Sequence, residues 1–351
     1  GYLNETGYLA QSDYERFTAR VSADSQVRDY LKVGINLFGA NTTSNNALDG
    51  SDNNSSLVNP YYFTRRMGPI YSPYAHNQDG SQILDQYGNP TYDFQSTRAA
   101  GAYTGRNAIY ENLLNKDNTK ANNMNARVFS EFKFWENFTF TVNAGLDTRN
   151  SYNKTYTNNI VGDSQGEGAA TRANGNTQSV TFNQLLNYSR KIVNHNFDVL
   201  VGHENNKYKY EYFYGRRKIQ VATDNYDLIN FVTTTDLTST TDQYNKEAYF
   251  SRFNYNFSEK YLVSASLRRD ASSRFAEDRR WENFWSVGAG WRINKENFAQ
   301  SWNWLDELKL RGSYGQVGND NGIGYYAYQS VFNLGNNNVN EGGVVFGVQA
   351  D

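Results

Sequence analysis

Residues 261–293 read YLVSASLRRDASSRFAEDRRWENFWSVGAGWRI. In the opening part, Tyr261, Val263, Ala265 and Leu267 fall on one side of an extended chain and Ser264, Ser266, Arg268 and Asp270 on the other, the period of two that marks a strand. The closing part repeats it: Trp285, Val287, Ala289, Trp291 and Ile293 oppose Ser286, Gly288, Gly290, Arg292 and Asn294. An apolar face this regular, backed by one that carries arginine and asparagine, suits a wall between lipid and a wet lumen. The expected fold is all-β, a segment of a transmembrane β-barrel.

Working outward, the same pattern recurs in pairs joined by short turns. Phe17–Ala23 and Leu31–Leu37 turn around Gln26 to Asp29; Val128–Phe134 and Phe138–Leu146 turn at Trp135, Glu136 and Asn137. A third pair spans about 179–192 and 197–210, and a fourth joins Tyr249–Phe257 to the opening strand through Ser258 to Lys260. The fifth joins Phe284–Asn294 with Leu308 to Tyr314 by a longer connection in which Trp302, Trp304 and Leu305 are expected to tuck inward. Further strands are expected near 325–332 and 344–348. Long polar connections separate the pairs, at 43–120 with a short helix near Ile109 to Leu114, at about 147–177, and at 211–244 with the basic cluster Arg216, Arg217 and Lys218. Short turns on one side and long loops on the other are the habit of bacterial outer-membrane barrels. Tyr14, Tyr30, Trp135, Phe257, Tyr261, Trp281, Trp285 and Trp291 lie at or near strand ends, where amphipathic rings favour the headgroup zone.

The bulk properties exclude more than they assign. The chain has 351 residues, a formal net charge of −2 and no cysteine, which rules out disulfides, thiolate metal sites and cysteine catalysis. Its charge is too small and its basic residues too scattered to suggest nucleic acid. Mean hydropathy is negative, yet alternating strands and hydrophilic loops make that average nearly silent on barrels. No basic and apolar leader precedes Gly1, so an export signal is expected outside this sequence.

The runs LRRDASSRFAEDRRWENFWSVGAGWRINKENF from Leu267, LKLRGSYGQVGNDNGIGYYAY at 308–328 and GYLNETGYLAQSDYERFTARVSADSQVRDYLKVGINL at 1–37 resemble the barrel of the SusC/RagA family of TonB-dependent outer-membrane transporters. The likeness spans most of the chain. It implies a barrel of about twenty-two strands, of which some ten to twelve are present here, with residues 1–351 as barrel segment and the plug domain, signal peptide and C-terminal strands absent. It also implies a bacterial outer-membrane location, active import of oligosaccharides or peptides energised by TonB, and a SusD-like surface lipoprotein as lid. Lipid and a glycan or peptide substrate are the other expected partners, and nucleic acid is not. The long loops at 43–120 and 211–244 become candidate lid contacts. A second reading is a SusC-like barrel that serves as a non-transporting scaffold of a larger outer-membrane complex; a third is a soluble β-rich binding module.

No catalytic residue is expected. His76, His195 and His203 are the only histidines and are not spaced for a compact metal site, and no nucleophile motif of the G-x-S-x-G type occurs. No cofactor is expected either; Asn319–Asp320–Asn321–Gly322 and Asp49–Gly50–Ser51–Asp52 suit turns, with calcium in extracellular loops as the open alternative. Arg252, Arg268, Asp270, Arg292, Lys309 and Arg311 fall on the polar side of their strands and are candidates for lumen or plug contact. They either pair to hold the wall in register or meet substrate. Tyr61, Tyr62, Tyr71, Tyr74 and Tyr87 are candidate ligand or lid contacts, which either stack on sugar rings or peptide side chains or pack the loop against itself. The face assignment predicts that Val142→Arg impairs membrane assembly and that Asn143→Arg is tolerated.

Overall fold

Eleven strands of the described residues pair in chain order, each antiparallel to the next. The computed structural model describes residues 1–47, 60–94, 105–299, 301–302, 304–330, 332–340 and 343–350. The sheet comprises β1 (Tyr2–Thr6), β2 (Asp13–Arg28), β3 (Leu31–Asn45), β4 (Lys116–Phe134), β5 (Phe138–Thr157), β6 (Ala169–Ile192), β7 (His195–Gln220), β8 (Phe231–Phe257), β9 (Tyr261–Ser272), β10 (Trp281–Arg292) and β11 (Lys309–Gly315). Two short helices, α1 (Pro60–Arg66) and α2 (Ala108–Leu114), lie between β3 and β4, the second where the sequence places it. A separate hairpin pairs β12 (Phe332–Asn340) with β13 (Gly343–Ala350).

Register confirms the two faces. Trp285, Val287, Ala289 and Trp291 of β10 stand opposite Leu267, Ala265, Val263 and Tyr261 of β9, and Phe253, Tyr255 and Phe257 of β8 continue that row. Across the sheet the same side carries Val21, Ile35, Leu37, Val128, Phe132, Val180, Phe182, Leu186 and Val201, and all of these remain exposed. So broad an exposed apolar belt is stable only against hydrocarbon. The structure is therefore all-β, and among the described residues no helix is long and apolar enough to cross a membrane.

Close packing on the polar face explains two glycines. A Cβ at Gly34 would fall 2.2 Å from the Phe129 ring, and one at Gly202 would fall 2.4 Å from that of Phe250. The missing side chains let those rings lie flat over the neighbouring strand. The short turns instead rely on side-chain-bearing residues in the left-handed region, Trp135 and Glu136 after β4 and Ser258 and Glu259 after β8. Such turns match the twist of the strands they join.

Several sequence expectations need correction. The connection expected at 211–244 is mostly strand: β7 reaches Gln220, β8 begins at Phe231, and only ten residues join them. The basic cluster accordingly belongs to β7, where Arg217 donates to the carbonyls of Leu228 and Val232 at 3.0 and 2.8 Å and Lys218 pairs with Glu167 at 3.2 Å. The loop after β5 is likewise shorter, because β5 and β6 continue to Thr157 and from Ala169. Residues 325–330 form turns rather than a strand, and the hairpin that follows starts at Phe332. Trp304 does not tuck inward but is 80 % exposed. Beyond the lipid band both faces meet water, so apolar alternation fades although the ladder continues.

Candidate functional site

The polar face of the wall is a lattice of charge-assisted bonds. Arg268 Nε donates to Asp270 at 2.6 Å and its Nη2 to Glu204 on β7 at 3.3 Å. Arg252 lies 3.7 Å from Asp198, which also accepts from Asn254 at 3.3 Å. Arg127 donates to Asn143 Oδ1 at 2.5 Å through Nη2, and Asn143 donates onward to Asn183 at 2.8 Å, which ties β4, β5 and β6 together. The guanidiniums of Arg20 and Arg268 also cover the rings of Phe38 and Phe250, at 5.4 and 5.2 Å. Three of the six candidates, Arg252, Arg268 and Asp270, are thus engaged within the wall. Arg292, Lys309 and Arg311 occupy the same face near the β10–β11 turn, Arg292 opposite Lys309, with no carboxylate partner among the described residues.

The segment after β11 folds back onto this face. Asp320 accepts from Lys246 Nζ at 2.7 Å and from Ser272 Oγ at 3.1 Å, and its carbonyl accepts from Arg274 Nη1 at 2.7 Å. Burial pushes the Asp320 carboxyl up, but Lys246 and Ser272 outweigh it and hold it below the usual carboxylate range. Its oxygens therefore serve an ion-paired pin. The other candidate calcium turn, at Asp49 to Asp52, lies outside the described residues. Among the described residues no three histidine, aspartate or glutamate side chains cluster as a metal set. Beneath the pin, Glu204, Arg268, Asp270, Arg280 and Glu282 line a cleft of about 670 Å³ with both signs of charge.

Between β3 and β4 the aromatic candidates divide. Tyr74 packs at a tilt against Tyr92, ring centroids 5.2 Å apart, and Tyr92 stacks at 4.4 Å on Tyr110 of α2, so this ring packs the loop. Tyr62 lies under Arg66 at 5.3 Å, and Tyr71 sits half-buried in a turn closed on Gly68. Tyr87 is 80 % exposed at a hairpin tip made by Asp85, whose Oδ1 accepts from the amides of Tyr87 and Asn89. The side chain of Tyr61 lies outside the described residues. This region is tied to the loop after β5 by Arg106, which pairs with Glu111 at 3.0 Å and also with Asp163. Burial lifts the Glu111 carboxyl to about 7 despite Arg106 beside it.

Sequence reasoning missed one feature of the extracellular half. Residues 207–214, KYKYEYFY, place Tyr208, Tyr210, Tyr212 and Tyr214 on the polar face of β7 and Lys207, Lys209 and Glu211 on the other. The sequence pattern carries the third pair only to about residue 210, although the period-two signal and the strand continue beyond it.

A sheet with one belt for lipid and one hydrogen-bonded polar face defines a segment of an outer-membrane β-barrel wall. Known proteins narrow the class. The chain is 28% identical over 353 residues to the TonB-dependent receptor SusC of Bacteroides thetaiotaomicron, covering 96% of this chain and 33% of that protein. It is 26% identical over 348 residues to the TonB-dependent receptor P39 of Formosa agariphila, covering 95% and 30%. Among solved structures, the RagAB peptide importer in its closed-closed state superposes with a TM-score of 0.79 at 23% identity, over 99% of this chain and 37% of that one. No family model matches. The chain resembles the SusC/RagA kind of TonB-dependent receptor over nearly its whole length, spans about a third of those relatives, and has its place in the bacterial outer membrane. The relatives are receptors and transporters, not enzymes.

Proposed function

We propose that this chain forms part of the wall of an outer-membrane importer of oligosaccharides or peptides, energised by TonB and closed at its mouth by a SusD-like lipoprotein. On this reading the barrel has about twenty-two strands, and plug and TonB-contacting segments lie outside the residues described here. The observation that carries it is the polar face, on which Arg252, Arg268 and Asp270 are held by partners in the wall itself. A charged wall so ordered lines water without collapsing onto lipid. Arg292, Lys309 and Arg311 remain available to a plug or a passing solute. The lipoprotein lid and the TonB coupling rest on the family resemblance.

The test is uptake by intact cells that carry the complete gene. Labelled oligosaccharides and peptides should accumulate in the parent strain, fail to accumulate in a deletion strain, and stop entering when a protonophore collapses the inner-membrane gradient. Equal accumulation with and without the gene would leave the scaffold reading in its place.

A further inference from the structure

We propose that Tyr208, Tyr210, Tyr212 and Tyr214 form a stacking site for a neutral oligosaccharide at the extracellular mouth. The inference deepens the import reading and rests on it only for the direction from which the ligand arrives.

Height along the wall places the site. Tyr208 stands about thirteen residues above the start of β7, which at roughly 3.3 Å per residue and a tilt near 40° is roughly 33 Å along the barrel axis. The apolar band of such barrels is about 25 Å tall. Outward neighbours agree, since Lys209 and Glu211 pair with each other at 2.7 Å on the opposite face, which hydrocarbon would not tolerate. The tyrosines therefore rise above the lipid on the lumen side.

Ring geometry makes them a track. Tyr210 and Tyr212 are 6.2 Å apart at an interplanar angle of 20°, and Tyr212 and Tyr214 are 6.4 Å apart at 23°. Their partners across the ladders are small: Thr177, Gly175 and Ala173 on β6, and Asp242, Thr240 and Thr238 on β8. A Cβ at Gly175 would come within 3.3 Å of the Tyr210 hydroxyl, so that ring lies over the neighbouring strand with nothing bulky beneath it.

The chain itself shows what the track accepts. Tyr325, from the segment pinned by Asp320, stacks at 5.5 Å on Tyr244 and at 6.3 Å on Tyr208, and Arg274 caps both Tyr244 and Tyr325 at 4.5 and 4.9 Å. The lower end of the file thus already holds a planar ring brought from elsewhere, while Tyr210, Tyr212 and Tyr214 continue the surface upward. Aromatic faces are negative at their centres and attract the CH-bearing face of a sugar ring, and the phenol hydroxyls add hydrogen bonds at its rim. The carboxylates near the file are Asp242, opposite Tyr210, and Asp236, beside Tyr212, and Arg274 at its lower end is taken up by Tyr244, Tyr325 and the Asp320 carbonyl, so the rings rather than a charged clamp for peptide termini supply the binding surface.

The test is equilibrium binding to the purified full-length receptor in detergent. Probes are neutral oligosaccharides of glucose, mannose, galactose and xylose, with a pool of random peptides alongside. At least one oligosaccharide should bind and the peptides should not displace it. Tyr210→Ala with Tyr212→Ala should weaken binding about tenfold, while the corresponding Phe pair stays within about threefold. Should the alanine pair fail to assemble, saturation transfer from tyrosine protons of the parent receptor to sugar CH groups decides instead. Binding by no oligosaccharide, displacement by peptides, equal affinity of the alanine pair, or no transfer from tyrosine protons would each overturn the proposal. Binding without uptake by cells would refute the import reading and leave this site standing; peptide uptake without oligosaccharide binding would do the reverse.

Discussion

The Tyr261 hydroxyl donates to Glu296 Oε1 at 2.6 Å, and the Trp291 indole donates to the same oxygen at 3.1 Å. Tyr261 opens β9 and Trp291 is the last but one residue of β10, both on the lipid side at the short-turn rim. Lys260 reaches the second carboxylate oxygen at 3.0 Å. One acidic side chain in the connection thus sets the polar edges of two belt aromatics, whose rings are free to lie among headgroups.

The Tyr261 hydroxyl, then Lys260 and Trp291, hold the Glu296 carboxyl at about 2. A carboxyl depressed on folding contributes stability that is present above its unfolded value, near 4.5, and is lost as pH falls from there through about 2. Glu296→Gln should lower the heat-modifiability midpoint at neutral pH and flatten its decline between about pH 5 and about pH 2, the span of the two titrations. An unchanged acid limb would show that the three donors do not act through charge.

Asn143 is a hub rather than a bystander. It is 6 % exposed, accepts from Arg127 and donates to Asn183. The sequence expectation that Asn143→Arg is tolerated therefore gives way, because a second guanidinium would face Arg127. Asn143→Ala should cost about 1–3 kcal/mol by stranding both partners. Val142→Arg on the lipid side should cost about 2–4 kcal/mol near the midplane. Urea titration of the refolded full-length barrel in lipid measures both; a loss for Val142→Arg alone would return Asn143 to a solvated role.

Glu111 makes the region between β3 and β4 sensitive to pH. Its carboxyl is raised to about 7 by burial, so its contribution is fully present below the unfolded value near 4.5 and is lost as pH rises through 7. The shift corresponds to something on the order of 3 kcal/mol. Amide exchange in 105–115 and 157–168 should therefore quicken between about pH 5.5 and pH 8 beyond its intrinsic rise, and Glu111→Gln should remove the excess. The excess surviving in Glu111→Gln would point to another group.

How far the sequence carried depended on what lay on each side of a strand. Within the lipid band, hydrocarbon and water demand opposite residues, so Phe138–Leu146 and Tyr261–Leu267 announce their faces. Above the band that demand disappears. β6, β7 and β8 run to 24, 26 and 27 residues, and β7 beyond about Tyr210 lies in the 211–244 stretch that reads from sequence as loop. Ion pairs such as Arg268 with Glu204 join residues 64 apart in sequence, so the face was legible and the partner was not. The Asp320 turn looked like a turn and is one; only the fold brings Lys246 and Arg274 to it.

That pin sets the last expectation. Lys246 is 41 % exposed at its side chain and Asp320 16 %, so solvent screens the pair and its loss should cost only about 1 kcal/mol. Local order should respond more than global stability, because the segment 316–330 has few other anchors to the wall. Asp320→Ala should speed amide exchange at 316–330 about fivefold while leaving heat-modifiability unchanged. It should also free Tyr325 from Tyr208 and Tyr244, seen as a change in tyrosine resonances. Arg274 donates to the Asp320 carbonyl rather than to the carboxylate, so Arg274→Ala combined with Asp320→Ala should release the segment further than either alone. Exchange in Asp320→Ala at the parent rate would show that Tyr325 stacking, not the ion pair, holds the segment down.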